Sequence, residues 1–195
     1  MRIISGSARG RKLLAPGQRF GDLIRPTSDR AREAIFSILA AKVIGAKVLD
    51  LFAGTGALGL EALSRGAALA VFVDGQRSVT ELIGKNIALC GFSDRATVLN
   101  KDLTRGLAFL TAMQPSIEFD LIFLDPPYGS TLALQGLESL VTGSFLAAKA
   151  IVVLEDAAAA QHPELVGPLA CFDQRRYGEA GFWLYQQPAK GKYHD

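Results

Sequence analysis

The chain has 195 residues and a mass of 20.8 kDa, with 49% hydrophobic and 21% charged residues, which suits one globular domain with a short appendage and excludes a disordered chain. No apolar run approaches bilayer length, the first residues lack a secretory apolar segment, and two cysteines (Cys90, Cys171) with two histidines (His162, His194) cannot build a disulfide framework or a metal cluster. These counts predict a reduced, cytoplasmic protein with no structural metal and no membrane contact. The net charge of +2 conceals an asymmetry. Residues 1–40 hold eight Lys/Arg against three acids, and the rest holds 13 against 16. A basic start on a mildly acidic body points to a polyanion partner, of which nucleic acid is the usual one.

Residues 1–26 are rich in Gly, Pro and Arg and read as a basic arm with one short strand; residues 27–195 read as the main domain. Arg25-Pro26-Thr27-Ser28 is a helix-start signal, with Ala31, Ile35, Phe36 and Leu39 on one apolar face. Arg30 and Arg32 are expected to point outward from it. From residue 47 the pattern alternates. Strands are predicted at 47–52, 69–74, 96–100, 119–124 and 151–155, and helices at 57–65, 78–90, 104–113 and 132–141. Two further strands, near 170–175 and 181–186, form a closing hairpin. This predicts an α/β fold: a mostly parallel sheet covered by helices on both faces, with antiparallel pairing at the end.

In such sheets ligands bind where strands end. After the first strand comes Asp50-Leu51-Phe52-Ala53-Gly54-Thr55-Gly56-Ala57-Leu58-Gly59. Gly54 and Gly56 allow a tight turn and close approach of a ligand to backbone. Asp74 ends the second strand and Asp102 follows the third. The glycines alone fit NAD and S-adenosylmethionine about equally, since both carry an adenosine. Asp50 tilts the balance, because an acid there suits an ammonium and sulfonium and repels a pyrophosphate. Asp102 adds an acceptor for an adenine amino group.

The most specific signal is Asp125-Pro126-Pro127-Tyr128 after the fourth strand. Two prolines stiffen the backbone and remove two amide donors. The Asp125 carboxylate and Pro126 carbonyl then form a fixed pair of acceptors suited to an exocyclic NH2 group. Tyr128 offers a flat face for a base. Orienting a poorly nucleophilic aromatic amine is the main catalytic requirement, and Asp125 can take its proton.

With these motifs the chain resembles a class I S-adenosylmethionine-dependent amino-methyltransferase. The further segments Met1-Arg2-Ile3-Ile4-Ser5-Gly6, Arg9-Gly10-Arg11-Lys12-Leu13, residues 25–33 and Tyr177-Gly178 extend the resemblance over nearly the full length, to the bacterial 16S rRNA (guanine-N2)-methyltransferase family. The resemblance implies a three-layer Rossmann-like fold, a seven-stranded sheet with an antiparallel last strand, and S-adenosyl-L-methionine as cofactor. It implies that Asp50 and the Gly54-Thr55-Gly56 turn hold the cofactor's amino-acid end, Asp74 its ribose and Asp102 its adenine, with Phe52, Ala53, Gly75 and Leu103 also at the cofactor. Asp125, Pro126, Pro127 and Tyr128 would form the catalytic turn, and Arg9, Arg11, Lys12, Arg25, Arg30 and Arg32 would contact substrate phosphates. The implied partner is 16S rRNA in the small ribosomal subunit or an assembly intermediate, met by a monomeric enzyme. Asp74 stands where the family commonly has glutamate, and its shorter side chain predicts a looser or water-bridged ribose contact.

Three other readings compete. A DNA adenine-N6 methyltransferase shares the Asp-Pro-Pro-Tyr turn, but 195 residues leave no room for a sequence-reading domain. A nucleotide-binding oxidoreductase explains the glycines and leaves Asp50 and Asp125 unexplained. A non-catalytic RNA-binding assembly factor keeps the fold without the reaction.

Overall fold

Short runs of Val, Leu, Ile and Phe, each followed by an amphipathic stretch, produce alternating strands and helices. The computed structural model of the protein describes residues 1–15, 28–113 and 117–187. The chain divides into two compact units, Met1–Arg105 and Gly106–Asp195. The boundary expected at 26/27, like Arg25, lies outside the described residues.

In the first unit, helix α1 (Asp29–Leu39) starts at Ser28, whose hydroxyl accepts from the Ala31 amide at 3.1 Å. A 3-10 turn (Ala40–Val43) leads into β1 (Lys47–Leu51), α2 (Ala57–Ser64), β2 (Leu69–Asp74), α3 (Arg77–Cys90) and β3 (Ala96–Asn100). β1 pairs with β2 and β2 with β3, all parallel, placing Asp50 opposite Phe72 and Asp74 opposite Asn100. Val48, Leu49 and Leu51 of β1 and Val71, Phe72 and Val73 of β2 are all buried. Strands covered on both faces need apolar residues at consecutive positions, which is why these segments read as runs instead of alternations. Gly59 permits the close packing of α2 on β2: a Cβ there would lie 2.3 Å from the Phe72 ring.

In the second unit, β4 (Phe119–Leu124), α4 (Leu132–Thr142), β5 (Leu146–Ala157), β6 (Leu165–Val166), β7 (Leu169–Tyr177) and β8 (Ala180–Gln186) follow in chain order. Neighbours run β4-β5-β8-β7-β6. β4 and β5 are parallel; β8 is antiparallel to both β5 and β7, and β6 to β7. The expected α/β class, with parallel strands and an antiparallel end, is what forms. The described residues hold eight strands, because the two-residue β6 is too short to leave a period in the sequence. The helix expected over 104–113 does not form. Two 3-10 turns, Leu103–Arg105 and Ala108–Ala112, take its place, and Gly106 between them has a left-handed φ of 78°. Among the described residues no helix is long and apolar enough to cross a membrane.

Candidate functional site

The glycine loop is built from both of its ends. Asp50 is buried on β1, and its Oδ2 accepts the Gly59 amide of α2 at 2.9 Å. Phe52 then leaves the strand with φ 57°, a left-handed conformation costly for an aromatic residue and one that clusters at functional sites. Gly54 and Gly56 follow with φ 55° and 77°. The Ala53 amide donates to Val73 O at 3.1 Å, and the Gly56 amide to Ala53 O at 2.7 Å. Phe52, Ala53 and Gly54 stay half-buried, whereas Thr55 and Gly56 are enclosed.

Asp74 closes the loop's open side. Its Oδ2 accepts the Gly54 amide at 3.2 Å and its Oδ1 the Gln76 amide at 3.0 Å. The structure thus brings the loop and the second acid into contact, with Gly75 exposed beside them. Burial holds the Asp74 carboxyl above its usual range, opposed by the Gln76, Gly54 and Gly75 amides. Asp102 follows β3, next to Asp74 by way of the Lys101 amide, which donates to Asp74 O at 3.1 Å. Asp102 is exposed, and its Oδ1 accepts both the hydroxyl (2.6 Å) and the amide (3.0 Å) of Thr104. Those bonds, with Arg105 nearby, keep it below the usual carboxylate range and ionised. Leu103, half-buried, opens the 3-10 turn that Asp102 caps.

Burial pushes the Asp50 carboxyl up to about 8, with the Gly59 amide opposing and the Asp74 charge adding. The folded protein therefore holds a proton between about pH 4 and 8 that the unfolded chain has released. The sign follows: stability falls as pH rises through that window and levels off above it. Asp50→Asn removes the titration. Urea unfolding at steps from pH 5 to 8 is expected to show the wild type losing stability relative to Asp50→Asn; parallel curves would contradict it.

The basic start is a docked hairpin. Arg2 bridges antiparallel to Lys12. Ile3, Ala8 and Leu13 are buried, while Arg9, Arg11 and Lys12 are exposed. The fully buried Glu61 of α2 accepts the Ile4 and Ser5 amides at 2.7 and 3.0 Å. Ser64 accepts the Ala8 amide at 2.9 Å and donates to Ser5 O at 2.6 Å. Asn86 of α3 ties the hairpin to the glycine loop: its Nδ2 donates to Leu14 O at 3.1 Å and to Thr55 O at 2.9 Å, and its Oδ1 accepts the Leu14 amide at 2.8 Å. Three exposed cations thus stand on a rigid support that shares a side chain with the loop.

Arg30 is exposed on α1, as expected, but Arg32 is fully buried. Its Nη2 donates to Arg2 O at 2.8 Å and pairs with Asp29 at 2.7 Å. The expectation that Arg32 points outward is corrected by helical geometry. Arg32, Ile35, Phe36 and Leu39 are spaced i, i+3, i+4, i+7, so they share the buried stripe. It is a strut between hairpin and helix, not a surface cation.

In the second unit, β4 delivers Asp125 half-buried, Pro126 buried, and Pro127 and Tyr128 exposed. The Tyr128 hydroxyl donates to Glu155 Oε1 at 2.8 Å, and the Gly129 amide donates to Asp156 Oδ1 at 3.1 Å. Burial, then the Glu155 charge, raises the Tyr128 phenol far above its usual range, so it stays a protonated donor. The ring is held by its hydroxyl end and leaves part of its surface open.

A family model described as "Conserved hypothetical protein 95" matches residues 1–186. Ribosomal RNA small subunit methyltransferase D of Escherichia coli K12 is 35% identical over 192 residues, 98% of this chain and 92% of that one. The chain belongs to this methyltransferase family. The YlbH protein of Bacillus subtilis is 36% identical over 191 residues, 96% of this chain and 99% of its own. The solved yhhF protein of Escherichia coli superposes with a TM-score of 0.80 at 35% identity, over 97% of this chain and 99% of that one. An RNA methyltransferase from Salinibacter ruber, solved with S-adenosyl-L-homocysteine, shares the fold at 15% identity, with a TM-score of 0.63 over 88% of this chain and 98% of that one.

In this methyltransferase several structural partners of the site escape motif reading. Glu61 and Ser64 on α2 and Asn86 on α3 sit among apolar buried residues, and a polar residue in a buried stripe is a signal that could have found them. Glu155 and Asp156 end the apolar run of β5, and their role appears only once the turn 27 residues earlier is seen against them.

Proposed function

We propose that the protein transfers a methyl group from S-adenosyl-L-methionine to the exocyclic N2 of one guanine in the 16S rRNA of the small ribosomal subunit. The single observation that carries this reading is the stiff Asp125-Pro126-Pro127-Tyr128 turn at the end of β4 in a chain of the methyltransferase family.

The first unit fits the cofactor. Gly54 and Gly56 place no side chain over the loop, and Asp74 keeps acceptor capacity for a ribose hydroxyl beyond the backbone amides it accepts. Asp102 is ionised and exposed for an amino group. Asp50, enclosed beneath the loop and protonated below about pH 8, would be drawn toward its charged form by a cationic ligand. Bound S-adenosylmethionine would supply an electrophilic methyl on its sulfonium.

The chain's own residues do the rest. The Asp125 carboxylate and the Pro126 carbonyl accept the two N–H groups of the guanine amine, turning its lone pair toward the methyl. As the N–C bond forms and the methyl–sulfur bond breaks, leaving S-adenosylhomocysteine, Asp125 would take the proton released from nitrogen. The Tyr128 ring stacks on the base, which has to leave any helix or stack to reach it. Arg9, Arg11, Lys12 and Arg30 contact phosphates, which position the enzyme without specifying a base.

Replacing Arg9, Arg11 and Lys12 together by alanine is expected to lower the slope of log K against log salt by about two for RNA binding. The affinity for S-adenosylhomocysteine should be unchanged. An unaltered salt slope would remove the hairpin from the interface. The reading as a whole is tested by offering labelled S-adenosylmethionine with small subunits lacking the modification, naked 16S rRNA, and double-stranded DNA. Label in subunits or rRNA is the expected result. Label in DNA alone would move the adenine-N6 reading ahead.

A further inference from the structure

Beneath the catalytic turn lies a chain of buried polar contacts that neither the loop nor the turn motif accounts for. It begins at Trp183 of β8, which pairs opposite Leu154 of β5. The His162 ring packs edge-on against Trp183 with centroids 4.5 Å apart. His162 Nε2 lies 3.0 Å from Asp156 Oδ2, and both side chains are almost wholly enclosed, at 8% and 4% exposure. The other oxygen, Asp156 Oδ1, accepts the Gly129 amide at 3.1 Å and the Ala157 amide at 2.7 Å. The next residue back along β5, Glu155, accepts the Tyr128 hydroxyl.

We propose that His162 is a positioning residue for methyl transfer: through Asp156 it fixes the Gly129 end of the Asp125-Pro126-Pro127-Tyr128 turn, and so the aim of the Asp125 carboxylate and the Tyr128 ring. The proposal rests on the methyl-transfer reading of that turn. A carboxylate can only accept, so His162 must present its N–H at Nε2. That bond sets the plane of the Asp156 carboxylate. With one oxygen held by histidine, the other is aimed at the Gly129 amide. Gly129 has a left-handed φ of 70°, so the backbone reverses immediately after Tyr128. The prolines stiffen the turn on one side, and the amide anchor holds it on the other. The Glu155 contact adds a hold on the ring itself.

Removing the histidine frees the Asp156 plane without touching the turn's own residues. A displacement of about 1 Å at a reacting group can cost roughly a hundredfold in rate. A role limited to folding would lower stability and spare the rate of the folded enzyme. Glutamine can place an N–H near the position of a histidine Nε2, so it is the conservative replacement.

The test compares His162→Ala and His162→Gln in the full chain. Three quantities are read: hydrogen exchange at the Gly129 amide, kcat and KM for methyl transfer, and affinity for S-adenosylhomocysteine. In His162→Ala, Gly129 exchange is expected to rise about tenfold or more and kcat to fall by about tenfold to a hundredfold. The KM for S-adenosylmethionine and the S-adenosylhomocysteine affinity should stay close to wild type. His162→Gln should restore most of both losses. Unchanged Gly129 exchange in His162→Ala overturns the proposal, as does equal damage by alanine and glutamine together with lost cofactor affinity. Asp125→Ala serves as the control on the underlying reading. If that variant transfers methyl at the wild-type rate, the reading of the turn fails, whatever the exchange at Gly129 shows.

Discussion

Asp125→Ala is expected to lower kcat for methyl transfer about a thousandfold, while S-adenosylhomocysteine and RNA bind within about twofold of wild type. The magnitude combines two losses. One acceptor for the amine disappears, so the lone pair is no longer aimed. The base that takes the departing proton disappears with it, and general-base contributions alone run to about a hundredfold or more. Cofactor affinity is expected to be spared because the residues proposed to hold the cofactor, Asp50, Gly54, Asp74 and Asp102, are left unchanged. Asp125→Asn keeps an acceptor oxygen and should fall between the two. Single-turnover rates at saturating substrate, alongside calorimetric binding of S-adenosylhomocysteine, check both halves. An alanine variant that binds RNA and still transfers methyl at near wild-type rate would remove Asp125 from the chemistry.

The largest expected effect on stability is at Glu61, remote from the chemistry. Its carboxylate is fully buried and accepts the Ile4 amide, the Ser5 amide and Arg65 Nε, the last at 2.7 Å. Removing a buried partner of this kind costs about 3–5 kcal/mol, because two part-buried amides and a guanidinium lose their acceptor at once. Glu61→Ala should lower Tm by about 10 °C, taking roughly 2–4 °C per kcal/mol for a chain of this size. The hairpin should undock with it, so RNA affinity falls more than S-adenosylhomocysteine affinity. Thermal unfolding and filter binding read the two effects. A Tm within a degree or two of wild type would mean that the hairpin is held by other contacts.

How much of this was legible beforehand differs between backbone and side chains. β1, β2 and β4 are mostly apolar runs and β3 is a shorter, half-exposed Thr-Val-Leu segment, and their ends fall where the glycine loop, Asp74, Asp102 and Asp125 begin. Strand ends carry ligands in such folds, so the candidate site could be read as a list of positions. The sequence did not reveal what those acids do for the structure. Asp74 braces Gly54, Asp102 caps Thr104, and Asp50 holds Gly59: each candidate ligand also has a structural partner. Nor did it reveal the support behind the turn, since Glu155, Asp156 and His162 meet it across 27 or more residues of chain. Arg32 shows the opposite case. Its spacing with Ile35 and Phe36 was visible in the sequence, but its charge argued for the surface, and a buried arginine depends on partners such as Asp29 and Arg2 O that only the fold supplies. The failed helix at 104–113 had a visible cause in Gly106, and the hairpin's docking did not, because its main anchors, Glu61, Ser64 and Asn86, lie more than fifty residues away.

The central claim is the atom that receives the methyl group. Small subunits lacking the modification are incubated with the protein and isotopically labelled S-adenosylmethionine, the rRNA is digested to nucleosides, and the labelled product is identified by mass spectrometry against standards. N2-methylguanosine, formed by wild type and absent with Asp125→Ala, is the result predicted. Label in a methylated adenosine, or in guanosine methylated at a ring nitrogen, would contradict the account of the Asp125-Pro126-Pro127-Tyr128 turn.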